Sequence, residues 1–148
     1  QQSLEEILYR SLAVKKAIVE ADEREAGCRA ALNFGHTIGH AFELAGNYET
    51  WSHGQGVAAG MNWAAQIGFG LGVTPEEAIL PVQDILKKYG LPLDIPCPWD
   101  VMTHAVLRDK KNLEGRINLI LMESLGRAAP HPVSLDQLLE QLEAMYGR

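Results

Sequence analysis

The chain has 148 residues, 47% of them hydrophobic, and 13 Lys and Arg against 19 Asp and Glu give a formal net charge of -6. That length suffices for one core that buries roughly 68–70% of the unfolded surface, and an acidic chain with a pI ≈ 5.3 excludes a nucleic-acid phosphate backbone as the expected partner, since such binding needs a basic face. Cys28 and Cys97 form no short-spaced metal pair; without a signal-type leader they read as free thiols of a cytoplasmic protein.

Ser3 followed by Glu6 fits a capping box that opens a first helix ending near Glu20, with Leu4, Ile7, Leu8, Leu12 and Val19 as its core stripe. The charged run ADEREAGCR then turns the chain, and Gly27 permits the close turn that delivers Arg29 to the next element.

A second helix is predicted from about Ala30 to Ala45, with Gly46 and Asn47 as the stop signal. Arg29, Asn33, His36 and His40 advance by four, three and four residues, the repeat of a single helical stripe, and that stripe is polar on an otherwise apolar helix. Gly35 and Gly39 each cost an interior helical position about 0.8–1 kcal/mol relative to Ala. Their presence on either side of His36 points to a backbone or ligand too close for a Cβ.

After the loop GNYETWS a third helix is expected from His53 to about Leu71, rich in glycine and alanine and therefore tightly packed. No charge occurs between Gly56 and Thr74, which raises a membrane span; Asn62, Gln66 and the glycines argue against one, because a span needs about 20 predominantly apolar residues. Thr74 and Pro75 open a fourth helix through about Tyr89, with a bend at Pro81, and Gly90 ends it. LPLDIPCPW is a linker inside the domain and Asp100–Arg108 a short helix. RINLILME reads as a strand that turns at Gly126 and returns through RAAPHPV, and Ser134 caps a final helix burying Leu135, Leu138, Leu139 and Leu142. The expected fold is mainly α, a single multi-helix domain over residues 1–148 with a small β-hairpin near Arg116 to Val133.

Three of the five histidines fall between Leu32 and Gly60. Neutral imidazole suits zinc and related ions, which often combine two or three histidines with a carboxylate. A histidine on a buried helix is more often a hydrogen-bonded core residue, and the spacing is not that of the His-Glu-x-x-His proteases, because Thr37 stands where their general base would be. The company of Arg29 and Asn33, and His53 at a helix N-terminus where the neutral form is favoured, shifts the balance toward a metal.

RAALNFGHTIGHAFE, then WSHGQGVAAGM after a short loop, LRDKKN before a strand, and KKAIVEADERE upstream follow one another in order. Together they resemble the C-terminal domain of the 3-dehydroquinate synthase family, over essentially the whole chain. Sister sugar-phosphate cyclases such as 2-deoxy-scyllo-inosose synthase share the histidines. The resemblance implies that His36 and His53 are two ligands of a Zn2+ or Co2+ ion, and that His40 lies near the substrate phosphate. It places Lys15, Arg29 and Asn33 in the substrate-binding set and Lys110 or Lys111 in the anion-binding set.

The implied activity is an NAD- and metal-dependent cyclising lyase of the shikimate pathway, which converts 3-deoxy-D-arabino-heptulosonate 7-phosphate to 3-dehydroquinate and phosphate. The family's N-terminal NAD-binding α/β domain, and the glutamate that completes the metal site, lie before the first residue here, and the chain carries no glycine-rich dinucleotide fingerprint. This chain is therefore expected to be the metal and substrate half of such an enzyme, inactive alone and homodimeric when full length, with no nucleic-acid or membrane partner. The alternatives are a related sugar-phosphate cyclase such as 2-deoxy-scyllo-inosose synthase, or a non-catalytic, free-standing helical binding domain. Gln55 departs from the family pattern, which has Glu after His-Gly, and so removes an expected negative charge near the metal.

Overall fold

Residues 3–24, 27–108 and 115–147 are described by the computed structural model. Helix α1 spans Leu4–Ala21, and the Ser3 hydroxyl accepts a hydrogen bond from the Glu6 amide at 3.2 Å. The sequence assigns α1 a core stripe, yet none of its residues is buried: Leu4, Leu8 and Leu12 are 73%, 55% and 66% exposed. The apolar pattern is real, but among the described residues nothing covers that side. The C-terminal part of α1 packs instead against a 3-10 turn at Cys28–Asn33.

The single helix expected over Ala30–Ala45 is two elements. The 3-10 turn ends at Asn33, and α2 spans His36–Ala45. Between them the chain reverses at Gly35, whose φ of +81° lies in the left-handed region and closes the helix that would otherwise run through. A Cβ on Gly35 would also meet the Met61 amide nitrogen at 2.5 Å. Arg29 and Asn33 are therefore not on the helical stripe of His36 and His40.

Helix α3 spans His53–Gly70 and begins with a capping box: Ser52 caps the Gln55 amide while the Gln55 side chain accepts from the Ser52 backbone. It lies backbone to backbone on α2. A Cβ on Gly39 would stand 3.0 Å from the Gly56 carbonyl oxygen, and one on Gly60 would run into the carbonyl oxygen of Gly35. Asn62, one of the polar groups of α3 that argued against a membrane span, is used internally. Asn62 Nδ2 donates to the Leu93 carbonyl at 2.8 Å and its Oδ1 accepts from Gln83 at 3.0 Å. Among the described residues no helix is long and apolar enough to cross a membrane.

A 3-10 turn at Glu76–Ala78 precedes α4, Ile79–Lys88, so the predicted fourth helix is divided. Pro81 then falls in the first turn of α4, where its missing N–H has no intrahelical partner to lose. Helix α5 spans Trp99–Arg108. Strands β1, Arg116–Ser124, and β2, Arg127–Ser134, form an antiparallel hairpin with Leu119 opposite His131 and Leu121 opposite Ala129. Pro130 and Pro132 are tolerated in β2 because the two-stranded sheet leaves each strand an unpaired edge. Helix α6, Leu135–Tyr146, starts on a second capping box, Ser134 with Gln137.

The core is built from one face each of five elements: Ile38 and Phe42 of α2, Trp63 and Ile67 of α3, Met102 and Val106 of α5, Ile117 and Leu121 of β1, Leu138 and Leu142 of α6; Val133 of β2 joins them. Helix α2 lies between α3 and α5. Its buried side anchors the core, and its N-terminal end faces the 3-10 turn and α1.

Candidate metal and anion site

The close approach of α2 and α3 determines where the histidines stand. Small residues at Gly35, Gly39, Gly56 and Gly60 let the two backbones touch, which brings the first residue of α2, His36, beside the first residue of α3, His53. Their ring centres are 5.3 Å apart. His40, one turn along α2, completes a triangle with ring centres 5.9 Å from His36 and 6.2 Å from His53. Two imidazoles on one tetrahedral ion, with Zn–N bonds of about 2.0–2.1 Å, stand roughly 5 Å apart between ring centres. The His36–His53 pair is spaced for such an ion.

The protonation of His36 suits ligation. Burial lowers the His36 pKa from its ordinary value, and the neighbouring His53 and His40 act in the same direction against the hydrogen bond to the Phe34 carbonyl. Desolvation therefore favours the neutral, metal-binding imidazole. His53 Nδ1 lies 3.0 Å from Glu43 Oε1, and Glu43 is buried with 8% of its surface exposed. A ring that donates Nδ1–H to this carboxylate presents Nε2 as its free donor, the arrangement found behind many metal-binding histidines. One donor atom from each of His40, Glu43 and His53 also lies within 4.8 Å of the other two, close enough to surround a cation. Since the carboxylate already holds the His53 ring, we place Glu43 behind the imidazole rather than on the ion. On this donor set the residues present fit a divalent cation with room for further ligands.

Beside the histidines, Lys15, Val19, Arg29, Leu32, Asn33 and His36 line a recess of about 200 Å³. Three elements supply it: α1 gives Lys15, the 3-10 turn gives Arg29 and Asn33, and α2 gives His36. Arg29 is held at both backbone and side chain, its amide donating to Asp22 Oδ2 at 3.0 Å and its Nη1 to the Glu23 carbonyl at 2.9 Å. That anchorage leaves the remaining guanidinium donors to form a fork suited to a carboxylate or phosphate. The N-cap Gly35 has no side chain to cap the first turn of α2, and the N–H groups at a helix start lend positive character to the surroundings of His36.

The structure thus brings together Lys15, Arg29, Asn33 and His36 in the recess, with His40 and His53 beside it. Their shared helical stripe is replaced by convergence of three elements. Lys110 and Lys111 lie outside the described residues. Sequence reasoning passed over Glu43. Its signal was available, because it is the sole acidic residue between Ala30 and Ala45 and falls three residues after His40. Gln55, read as a missing charge near the metal, is occupied with the helix cap through Ser52.

A family model described as 3-dehydroquinate synthase C-terminal matches residues 1–112. The 3-dehydroquinate synthase of Clostridium perfringens (strain SM101 / Type A) is 40% identical over 127 residues, 85% of this chain and 36% of that relative. That of Caldanaerobacter subterraneus subsp. tengcongensis is 39% identical over 144 residues, 97% of this chain and 40% of the relative. Among solved structures, 2-deoxy-scyllo-inosose synthase complexed with carbaglucose-6-phosphate, NAD+ and Co2+ aligns with a TM-score of 0.79 and 29% identity, covering 93% of this chain and 41% of that one. The chain spans two-fifths or less of the length of these curated relatives.

Proposed function

The chain belongs to the 3-dehydroquinate synthase C-terminal family, and from that membership we propose that it is the metal- and substrate-binding half of an enzyme converting 3-deoxy-D-arabino-heptulosonate 7-phosphate to 3-dehydroquinate and phosphate. The observation that carries the reading is the convergence itself. Two histidines at metal spacing stand beside a recess lined by Lys15, Arg29 and Asn33.

In this reading His36 and His53 hold a Zn2+ or Co2+ ion whose third protein ligand comes from the preceding half of the enzyme. When bound, the metal supplies Lewis-acid polarisation of a substrate oxygen, and NAD, held by the other half, supplies reversible hydride acceptance. The residues of this chain bind and orient. Arg29 takes the substrate carboxylate in its fork, Lys15 and Asn33 fix neighbouring oxygens, and His40 hydrogen-bonds the leaving phosphate. Lys110 or Lys111 joins that anion set on the strength of the motif alone. The exposed Leu4, Leu8 and Leu12 of α1 support docking of the N-terminal NAD-binding domain along this helix, since single large hydrophobics are common on surfaces but a continuous helical stripe marks an interface. The resemblance further carries a cytoplasmic, homodimeric whole enzyme.

Turnover tests the reading. With an N-terminal NAD-binding half restored, NAD and Zn2+ or Co2+ present, phosphate release is followed from the heptulosonate phosphate and from a hexose 6-phosphate, the class to which carbaglucose-6-phosphate is an analogue. The expected result is release from the heptulosonate phosphate, with Arg29→Ala lowering kcat/KM about 10- to 150-fold through loss of a charged hydrogen bond worth roughly 1.5–3 kcal/mol. Release from the hexose phosphate alone would make the chain part of a different cyclase.

A further inference from the structure

We propose that Glu43 is the positioning residue for His53: its buried carboxylate accepts the Nδ1 proton of that imidazole, fixing the tautomer and ring orientation that aim Nε2 at the metal. This deepens the metal reading above and rests on it for the identity of the ligand. Several independent features of the structure build the contact. Glu43 lies on α2 three residues after His40, and its side chain is 10% exposed while that of His53 is 60% exposed. The carboxylate is therefore the fixed member and the imidazole the one being held. Gly56 makes the arrangement possible, because a Cβ there would stand 3.0 Å from both Glu43 Cγ and the Gly39 carbonyl oxygen. The α2–α3 contact thus leaves space for one acidic side chain and aims it at the first turn of α3, whose positive end complements a carboxylate.

The same geometry accounts for Gln55. At the third position of α3 its amide oxygen accepts from the Ser52 backbone and faces the Ser52 hydroxyl at 3.0 Å. A glutamate at that position serves a capping box in the same way. The negative charge behind His53 is supplied by Glu43, so the departure at position 55 leaves the support of the metal ligand intact.

A carboxylate behind a ligating histidine contributes typically 10- to 100-fold in metal affinity. The test begins with the chain itself, 15N-labelled at histidine, its ring nitrogens assigned by long-range proton–nitrogen correlation above the histidine titration range. His53 is expected as the Nδ1–H tautomer. Glu43→Gln, which keeps an acceptor oxygen, should retain that tautomer, while Glu43→Ala should lose it and weaken Co2+ binding 10- to 100-fold in calorimetry. Circular dichroism and thermal melting of both variants separate loss of the contact from loss of the fold, and the wild-type tautomer is decisive even if Glu43→Ala does not fold. A wild-type His53 protonated on Nε2, or a tautomer unchanged in folded Glu43→Ala, overturns the proposal. If instead the tautomer follows Glu43 but His53→Ala leaves Co2+ affinity unaltered, the positioning contact stands and the metal assignment of His53 is what fails.

Discussion

Gly60 carries more of the site than its missing side chain suggests. A methyl group there would occupy the position of the Gly35 carbonyl oxygen and force α2 away from α3, and the 5.3 Å spacing of His36 and His53 depends on that approach. Gly60→Ala should destabilise the chain by about 1–3 kcal/mol, the usual cost of overpacking a close contact, visible as a lower urea midpoint. Gly54→Ala is the control, since a Cβ at that exposed helical position meets nothing within 4 Å; it should leave the midpoint unchanged or raise it. Equal midpoints for Gly60→Ala and wild type would show that the backbones can separate without cost. At this scale the histidines and Arg29 were legible because their types are chemically specific and their order is distinctive. Glu43 gave a weaker signal, because a lone acid in an apolar run is ordinarily an exposed helix residue, and it is the α2–α3 contact that buries it.

Helix α1 presents the largest difference between local pattern and environment. Its hydrophobic spacing predicts a buried stripe, and periodicity reports correctly that the stripe exists. Periodicity is silent on what covers it. Leu4, Leu8, Leu12, Lys15 and Val19 lie on one face, since steps of three and four return to the same side, so the uncovered apolar row leads into the recess at Lys15 and Val19. Leu8→Glu together with Leu12→Glu should alter the stability of this chain by no more than about 0.5 kcal/mol per site, as for surface positions, while sharply weakening its association with the N-terminal half in a pull-down or titration. A large loss of stability in the chain alone would mean that α1 has a covering element within it. The division of the predicted Ala30–Ala45 helix has a related cause. Propensity charges Gly35 about 0.8–1 kcal/mol as a helical interior residue, but at φ +81° it is the turn that separates Asn33 from His36. The four polar residues at helical spacing therefore lie on two elements, Arg29 and Asn33 on the 3-10 turn and His36 and His40 on α2, rather than on one helix.

For the whole molecule, the central claim is that this chain supplies one wall of a metal site and that a second half supplies the other. A catalytic zinc site uses three protein ligands, of which His36 and His53 would be the two that this chain contributes. The sequence order of the motifs carried the family and the mainly α architecture, since each element's caps and periodicity are local properties. The convergence of α1, the 3-10 turn and α2 on one recess is a property of the tertiary fold and was not legible residue by residue. The measurement that bears most directly on the claim is a zinc titration by calorimetry, performed on this chain alone and again with the N-terminal half present. The expected result is weak binding by the chain, tight one-to-one binding by the combined protein, and loss of the tight site in both His36→Ala and His53→Ala. Tight one-to-one binding by the chain alone, unaffected by His36→Ala, would contradict it.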